Sequence, residues 1–309
     1  MKSKLIVLLV ILIILIISGD LIYAEEDIVK FENEPLELAV RKEINKHDGD
    51  IFARELENIK ELDLFGRGIS SIEGIQYLRN LENLDLYQNY IDDIQLLAEL
   101  TNLKKLSIGA WEPNQLEDIS PLAGLEKLEY LNLSGNRIKD LSPLNNLTNL
   151  IELNLWRNYN ITDLSSLSDL KFLKILNLTG NQITDISPLS QLNNLEELKF
   201  GNNQVGDISA LESLENLEVL NFGGTPLPED GNQVEDISVI SNLNNLVTLN
   251  FYDNKVTDIS SLLNNENINQ FTEIDMRMNL LDISSDSKSM NVINQLTEIG
   301  VEVLHEPQK

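Results

Sequence analysis

The chain is dominated by one pattern of about 22 residues, which recurs ten times from Ile59 onward. The pattern is L-x-x-L-x-L-x-x-N-x-I-x-D-I-x-x-L-x-x-L-x-N, and successive starts lie 22, 22, 25, 22, 23, 22, 22, 29 and 25 residues apart. A unit this short cannot bury its own apolar face, so it is stable only when its neighbours stack on it. The pattern therefore predicts one elongated solenoid with a continuous core. The repeats start at Ile59, Leu81, Leu103, Leu128, Leu150, Leu173, Leu195, Leu217, Leu246 and Phe271.

The central L-x-L of each repeat predicts a short strand, because its apolar residues alternate with period two. Leu131 and Leu133 of the fourth repeat are expected to face the core. Tyr130, Asn132 and Ser134 are expected to face away from it. Stacking would place the strands side by side in a parallel sheet, and ten strands at about 4.8 Å each would span about 45 Å.

Repeat position nine carries an asparagine in most repeats. A buried amide at the end of a strand can satisfy backbone groups of its own turn and of the adjacent repeat. We therefore predict a structural ladder of side-chain amides along the solenoid. Its members are Asn89, Asn136, Asn158, Asn181, Asn203, Asn254 and Asn279.

In nine of the ten repeats an aspartate precedes the second Ile or Leu, and Ser-Pro or Ser-Ser often follows that apolar residue. Asp and Ser cap short helical turns, and Pro fits the first residues of such a turn. The sequence therefore predicts a short helical or 3-10 turn in each repeat, on the side opposite the sheet. These aspartates are Asp93, Asp118, Asp140, Asp163, Asp185, Asp207, Asp236, Asp258 and Asp282.

The two ends of a solenoid must be sealed, since a terminal repeat would otherwise expose its core. Before the repeats, Asn33 and Pro35 predict the start of a helix whose apolar face is formed by Leu36, Ala39, Val40 and Ile44. After them, residues 289–299 predict a helix that buries Met290, Ile293 and Leu296 and ends at Gly300, followed by a last strand at Val301, Val303 and Leu304. We expect an N-terminal cap at 25–58, repeats at 59–283 and a C-terminal cap at 284–309.

The first 24 residues are typical of an export signal. Lys2 and Lys4 precede an apolar run over 5–17, and Ala24 offers a cleavage point. The run is short for a membrane-spanning helix, which needs about 20 residues. We therefore expect export from the cell. An uncleaved segment would instead be an N-terminal membrane anchor.

The formal charge of the chain is -27 at pH 7, from 50 acidic and 23 basic residues. This balance excludes nucleic acid and anionic membrane surfaces as expected partners, because both require clustered Lys and Arg. A basic partner fits, although acidity also keeps an elongated surface soluble. There is no cysteine, so disulfides and thiolate metal sites are excluded.

No arrangement of residues in the sequence points to catalysis. A nucleophile elbow, a phosphate-binding loop and a zinc-binding histidine pair are all lacking, and we predict neither a catalytic residue nor a cofactor. The eighth-repeat insertion suggests a calcium loop, but its spacing does not alternate as calcium ligands do. A solvated loop without metal is the preferred interpretation, and the same holds for the turn at 48–50. The acidic and amide residues of the insertion are Glu229, Asp230, Asn232, Glu235 and Asp236.

The repeat is similar to that of a known family. The segment 173–194, with Leu-Asn-Leu-Thr-Gly-Asn-Gln-Ile-Thr-Asp-Ile-Ser-Pro-Leu at its centre, resembles the internalin-type leucine-rich repeat. The opening at 36–69 and the ending at 300–303 resemble the caps of the same bacterial proteins. The resemblance implies a leucine-rich-repeat horseshoe with its parallel sheet on the concave face. It also implies a surface or secreted protein of a Gram-positive-type bacterium that binds a host or cell-surface protein there. No LPxTG-type motif is present, so covalent attachment to a cell wall is not expected.

Repeat positions three, five and seven would face outward from the concave sheet, which makes them candidates for partner contact. Aromatic residues at such positions, or beside them, are Phe65, Tyr87, Trp111, Tyr130, Trp156 and Tyr252. Large exposed aromatics are typical of binding hot spots, although stacking of Phe65 on Tyr87 would also explain their recurrence. Charged candidates on the same face are Glu61, Asp63, Asp85, Glu152, Glu197, Lys199, Glu273 and Asp275.

These observations favour a secreted or cell-surface monomer that binds a protein. The first alternative is an exported, wall-associated scaffold that binds glycan by stacking on its aromatic side chains. The second is an intracellular regulator, since the repeat length also resembles that of a eukaryotic phosphatase-regulatory protein.

Overall fold

The structure is a computed structural model, and it describes residues 28–111, 115–224 and 231–309. The predicted export signal lies outside these ranges. So do Glu229 and Asp230 of the candidate calcium loop.

Within the described residues, eleven short strands form one parallel sheet in which each strand pairs with its neighbours in chain order. Each strand is three residues long, and its middle residue, such as Leu62 or Leu131, points into the core. Two further strands, β1 (Ile28–Val29) and β2 (Ile51–Phe52), pair antiparallel beside the first repeat. The predicted stack of repeats is confirmed. The strands of the large sheet are β3 (Glu61–Asp63), β4 (Asn83–Asp85), β5 (Lys105–Ser107), β6 (Tyr130–Asn132), β7 (Glu152–Asn154), β8 (Ile175–Asn177), β9 (Glu197–Lys199), β10 (Val219–Asn221), β11 (Thr248–Asn250), β12 (Glu273–Asp275) and β13 (Glu302–Leu304).

Short 3-10 turns run opposite the sheet, as the Asp-Ile-Ser pattern predicts. Each predicted aspartate accepts a hydrogen bond from the backbone N–H two residues later. The Ser187 N–H, for example, lies 2.7 Å from Asp185 Oδ1. The bond satisfies a donor that the turn itself leaves free. The turns are Ala53–Leu56, Ile75–Tyr77, Gln95–Glu99, Ser120–Gly124, Ser142–Leu144, Ser165–Leu167, Ser187–Leu189, Ser209–Leu211, Ser238–Asn242 and Ser260–Asn264.

The asparagines at position nine are buried and bridge adjacent repeats. Asn203 shows the full arrangement, because its Oδ1 accepts from the Ile183 N–H at 3.0 Å. Its Nδ2 donates to Leu178 O at 3.0 Å and to Phe200 O at 2.9 Å. One backbone N–H and two carbonyl groups at the ends of adjacent strands thereby acquire a partner.

Two members of the ladder lie at positions that the spacing of the repeats does not predict. Asn232 is displaced by the eighth-repeat insertion, yet its Oδ1 accepts from the Val205 N–H and its Nδ2 donates to Phe222 O. The buried amide of Asn232 is therefore bonded on both sides within the ladder. Gln308 continues the ladder beyond the last asparagine, because its Oε1 accepts from the Asn279 N–H at 2.9 Å.

Two members have an incomplete bond set. The Oδ1 atoms of Asn136 and Asn181 are buried and accept no hydrogen bond from the described residues. Each of these asparagines follows a repeat that is longer than 22 residues.

A second set of asparagines, at the last position of the pattern, forms another ladder that sequence analysis did not assign. These side chains donate Nδ2–H to a backbone carbonyl of the preceding repeat, as Asn194 does to Lys171 O at 2.7 Å. The series is interrupted by Lys127 in the third repeat, Phe172 in the fifth and Gln270 in the ninth. The members are Asn80, Asn102, Asn149, Asn194, Asn216 and Asn245.

Helices lie at both ends, as predicted. Helix α1 (Glu34–Glu43) is capped by Asn33, whose side chain accepts from the Leu36 N–H, and it buries Leu36, Ala39 and Val40. Helix α2 (Lys288–Glu298) begins and ends one residue earlier than predicted and is capped by Ser287. It buries Val292 in addition to Ile293 and Leu296, whereas Met290 is only partly buried.

The start of the tenth repeat differs from the prediction. Phe271 is 74 % exposed, although position one is apolar and buried in the other repeats. Ile268 is buried instead. The longer connection after the ninth repeat places a different apolar side chain in the core.

Candidate functional site

Four of the six predicted aromatic residues form a continuous row on the concave face, which we call the aromatic row. The rings of Phe65 and Tyr87 are stacked, with centroids 5.9 Å apart and planes at 14°. Trp111 meets Tyr87 edge-on at 6.3 Å and Trp156 edge-on at 6.1 Å. Such offset and edge-to-face contacts favour a fixed arrangement of the rings. The row spans the first to the fifth repeat.

Trp111 completes the row because the third and fourth repeats have small residues at position seven. A Cβ atom on Gly109 would lie 2.5 Å from the Tyr87 ring and 2.8 Å from Ser134 Oγ. Ser134 is 1 % exposed, which corrects the prediction that it faces solvent. Asn132 is likewise buried, and its Oδ1 accepts from the Ser134 N–H. The indole, which is 65 % exposed, lies in the space that these small side chains leave.

Polar groups hold both ends of the tryptophan pair. The side-chain amide of Gln88 is oriented with its oxygen toward Trp111. This oxygen accepts hydrogen bonds from the Trp111 backbone N–H at 2.6 Å and from the indole Nε1–H at 3.1 Å. The Arg157 guanidinium lies 4.7 Å from the centroid of Trp156, a cation–π distance. The two indoles are therefore positioned before any partner arrives.

The other two predicted aromatics are placed differently. Tyr252 lies in the ninth repeat, separated from the row by repeats with Thr179, Gly201 and Gly223 at position seven. Its ring packs under Arg277, whose guanidinium is 5.5 Å from the centroid. Tyr130 lies on β6 and is half-buried. The structure thus brings four of the predicted aromatics into one surface and leaves Tyr252 apart from it.

The acidic residues at position five have a structural role that sequence reasoning missed. The Oδ1 atoms of Asp63, Asp85 and Asp275 accept from the N–H of the residue two positions later, at 3.0, 2.8 and 3.2 Å. Asparagine performs the same turn-forming role in five other repeats. The signal was visible in the sequence, because position five is Asp or Asn in eight of the ten repeats.

A depression of about 430 Å³ lies across β3 to β6, beside the aromatic row. Its polar lining includes Glu61, Asp63, Asp85, Ser107 and Tyr130, with Lys105 also present. Glu152 borders it, because β7 pairs with β6 and places Glu152 next to Tyr130. We call this feature the acidic depression.

Burial changes the titration of the groups around the acidic depression. Burial raises the pKa of Asp85, and the charge of Asp63 raises it further. The hydrogen bond from the Tyr87 N–H lowers this pKa but does not cancel the increase. Burial also raises the pKa of Glu152, with a further contribution from Glu197. The pKa of the Tyr130 phenol is raised by burial and by Glu152. Negative charge is therefore concentrated where solvent stabilises it poorly.

The acidic side chains of the concave face fall into two groups, those that form an ion pair and those that do not. Glu197 pairs with Lys199 at 2.6 Å, and Asp275 pairs with Arg277 at 2.7 Å. Among the described residues, the four candidate acids of the concave face in the first five repeats have no ion pair, whereas Glu82 of the second repeat pairs with Lys60 and Lys104. Glu273 is exposed and likewise has none. The four unpaired acids of the concave face in the first five repeats are Glu61, Asp63, Asp85 and Glu152.

Comparison with known proteins agrees with the architecture. The family model described as leucine-rich repeats in two copies matches residues 79–124, 101–146, 126–171, 148–191 and 193–242. The chain is similar to the crystal structure of an internalin, InlF, from Listeria monocytogenes, with 31 % identity and a TM-score of 0.63. That match covers 90 % of this chain and 91 % of InlF. The chain belongs to the internalin-type leucine-rich-repeat proteins.

A second internalin and a plant receptor give further comparisons. Internalin C2 from Listeria monocytogenes is 33 % identical, with a TM-score of 0.58, and the match covers 82 % of this internalin-type chain and 94 % of internalin C2. The plant peptide hormone receptor RGFR1, solved in complex with RGF2, shares the fold at 22 % identity and a TM-score of 0.62. That match covers 74 % of this chain and 37 % of the receptor. No curated protein sequence matches the chain.

The described residues of this internalin-type protein contain neither a membrane-spanning helix nor a cluster of metal ligands. No helix among them has the length and apolar character needed to span a bilayer. No group of three or more His, Asp or Glu side chains in the same ranges is arranged to hold a metal ion.

Proposed function

We propose that this internalin-type protein binds a protein partner outside the cell, through the concave face of its first five repeats. The observation that carries the proposal is the aromatic row, whose four rings are exposed in part yet fixed by mutual contacts. Tryptophan and tyrosine dominate binding hot spots because they bury a large area at low entropic cost. The plant receptor with this fold was solved with RGF2, so the fold is compatible with a bound ligand.

The charge on this face limits the kinds of protein surface that can bind to it. The acids near the aromatic row are unpaired, so a partner with basic and apolar groups would be complementary to it. The sequence offers no constellation for catalysis, and we propose binding without chemistry. We further propose that the protein is exported through its first 24 residues and acts as a monomer, on or near a bacterial surface.

Photo-crosslinking tests the assignment of the concave face. We would place p-benzoylphenylalanine at Tyr87, in the aromatic row, and at Tyr90 as a matched control. Tyr90 is an exposed tyrosine of the same repeat that lies beyond the end of the strand, whereas Tyr87 is half-buried. We expect crosslinks to one extracellular protein from position 87, suppressed by excess unlabelled protein. Equal yields from both positions would show that the concave face is not the contact surface.

Glycan binding remains the second candidate, because exposed aromatic rings also stack on sugars. A glycan array probed with the unmodified protein and with Trp156→Ala separates the two functions. The protein-binding proposal expects no glycan signal that depends on the aromatic row. A saturable glycan signal that is lost in Trp156→Ala would favour the scaffold or wall-associated alternative. Export is tested by finding a mature start at Glu25 in culture supernatant, which the intracellular alternative does not predict.

A further inference from the structure

The acidic depression is unusual on this molecule because its charges lack local neutralisation. Glu61, Asp63 and Asp85 line it, and none forms an ion pair with a described residue. Lys105 also lines it and is exposed, but it pairs with none of the three. Elsewhere on the concave face, Glu197 and Asp275 each have a basic side chain within 2.6–2.7 Å, whereas the exposed Glu273 has none. The depression therefore carries a net negative charge that the chain itself does not neutralise.

Its lining contains a mostly buried serine whose hydroxyl bonds to no described residue. Ser107 is 8 % exposed and lines the depression, and its hydroxyl makes no hydrogen bond to the described residues. Serine occurs here in place of the Asp or Asn that forms the turn in eight repeats. The shorter side chain deepens the surface and leaves a hydroxyl oxygen that can accept a hydrogen bond. This hydroxyl lies in the lining of the depression, where a ligand can form a hydrogen bond with it.

The surroundings define the chemistry of that ligand. The phenol of Tyr130 and the carboxylates are hydrogen-bond acceptors, so the ligand must donate and carry positive charge. Phe65 and Tyr87 lie on the same strand ends as Asp63 and Asp85, and their ring faces attract a cation and its aliphatic stem. These two rings lie beside the depression, whose own apolar lining is formed by Leu62, Leu84 and Leu106. A small hydrated ion would leave this apolar surface unused.

We infer that the acidic depression receives a lysine or arginine side chain of the protein partner, next to an apolar side chain of the same partner on the aromatic row. The inference rests on the proposed protein-binding function and adds the residue type that it recognises. A divalent metal ion is the competing occupant. The described acids are not grouped as metal ligands, which favours the organic cation.

The test uses the full chain and two small probes. N-acetyl-lysine methylamide presents the cation, and N-acetyl-norleucine methylamide presents the same stem without charge. Binding is followed by NMR chemical-shift changes at Ser107 and Tyr130. We expect the lysine probe to bind at least about tenfold more tightly than the norleucine probe, as expected for recognition that depends on charge. Equal affinities for the two probes would overturn the inference.

A charge-matched pair of variants locates the binding. Asp63→Asn with Asp85→Asn removes two charges and keeps the turn, because asparagine forms the same bond in five other repeats. Glu212→Gln with Glu218→Gln removes two exposed charges elsewhere. We expect the first pair to lose at least about fivefold in affinity for the lysine probe, and the control pair to stay within about twofold.

Three outcomes would contradict the inference. They are unchanged lysine-probe binding in the Asp63/Asp85 pair, equal losses in both pairs, and stoichiometric displacement of the probe by calcium. The probes require no protein partner, so this result is independent of the crosslinking test. If crosslinking at position 87 succeeds and the lysine probe fails, only the subsite is wrong. If the probe binds and crosslinking fails, the proposed function is wrong.

Discussion

Trp111 and Trp156 lie with their ring centroids 6.1 Å apart and their planes at 79°, although they belong to the third and fifth repeats. The contact exists because Gly109 and Ser134 have side chains too small to separate the two indoles. Adjacent strands are about 4.8 Å apart, so a single large side chain can cover the intervening repeat. An insertion and two small residues thereby convert separate aromatics into one surface.

Trp111→Ala should break the aromatic row into two parts without unfolding the solenoid. Trp156 would lose its edge-on neighbour and Ser134 would become exposed. We expect a loss of near-ultraviolet circular dichroism and a shift of the Trp156 emission, with an unchanged far-ultraviolet spectrum. Phe271→Ala removes another exposed aromatic and serves as the control. A near-ultraviolet spectrum that changes no more in Trp111→Ala than in Phe271→Ala would argue against the described packing.

Gly109→Ala tests the same packing by adding a methyl group next to the Tyr87 ring. The added methyl group would lie 2.5 Å from the Tyr87 ring, so Tyr87 must shift and the stack with Phe65 must loosen. We expect a destabilisation of about 1–3 kcal/mol, as for overpacked sites. Gly124→Ala adds the same methyl group where no atom lies within 4 Å. Urea denaturation should separate the two variants, and equal midpoints would contradict the close contact.

The amide ladder predicts a graded effect on stability. Asn203→Ala removes an acceptor and a donor that bridge two repeats, and it should destabilise the protein by about 1–3 kcal/mol. Asn181→Ala should also destabilise it, because Nδ2 of Asn181 donates to Leu155 O and Leu178 O. The loss should be smaller than for Asn203→Ala, since Oδ1 of Asn181 accepts nothing from the described residues. Denaturation midpoints rank the variants, and an unchanged midpoint for both would refute the ladder's role.

The attachment of the C-terminal helix should depend on acid pH. Lys288, at the start of α2, and Ser260 together lower the pKa of Asp258 to about 2. The folded pKa lies below the unfolded one, so this stabilisation is present above about pH 4 and is lost as the pH falls toward 2. Asp258→Asn should abolish that part of the acid dependence. Hydrogen exchange of α2 between pH 4 and 2 measures it, and identical profiles in both proteins would contradict the assignment.

Periodic features of the fold could be predicted from the sequence because each residue type repeats with its physical role. Leu131 in the core, Asp118 before a turn and Asn203 at the end of a strand all recur at fixed positions. The exceptions arise where spacing breaks. Asn232 and Gln308 act in the ladder from irregular positions, and only coordinates reveal that their amides reach the same backbone groups.

The candidate site was less accessible to sequence reasoning. The outward positions of Phe65 and Tyr87 followed from the strand pattern, but the place of Trp111 depends on an insertion whose path the repeat does not specify. The role of Asp63 and Asp85 in turns was readable from position five and was missed. Ion pairing, which distinguishes Glu197 from Glu152, depends on side-chain directions that the pattern leaves open.

The affinity of a Tyr87→Ala/Trp156→Ala double variant for the crosslinked partner tests the central claim most directly. We predict a loss of at least about a hundredfold, typical of two hot-spot residues, with an unchanged far-ultraviolet spectrum. Tyr90→Ala should bind as the unmodified protein does. Wild-type affinity in the folded double variant would contradict the claim that the aromatic row is the contact surface.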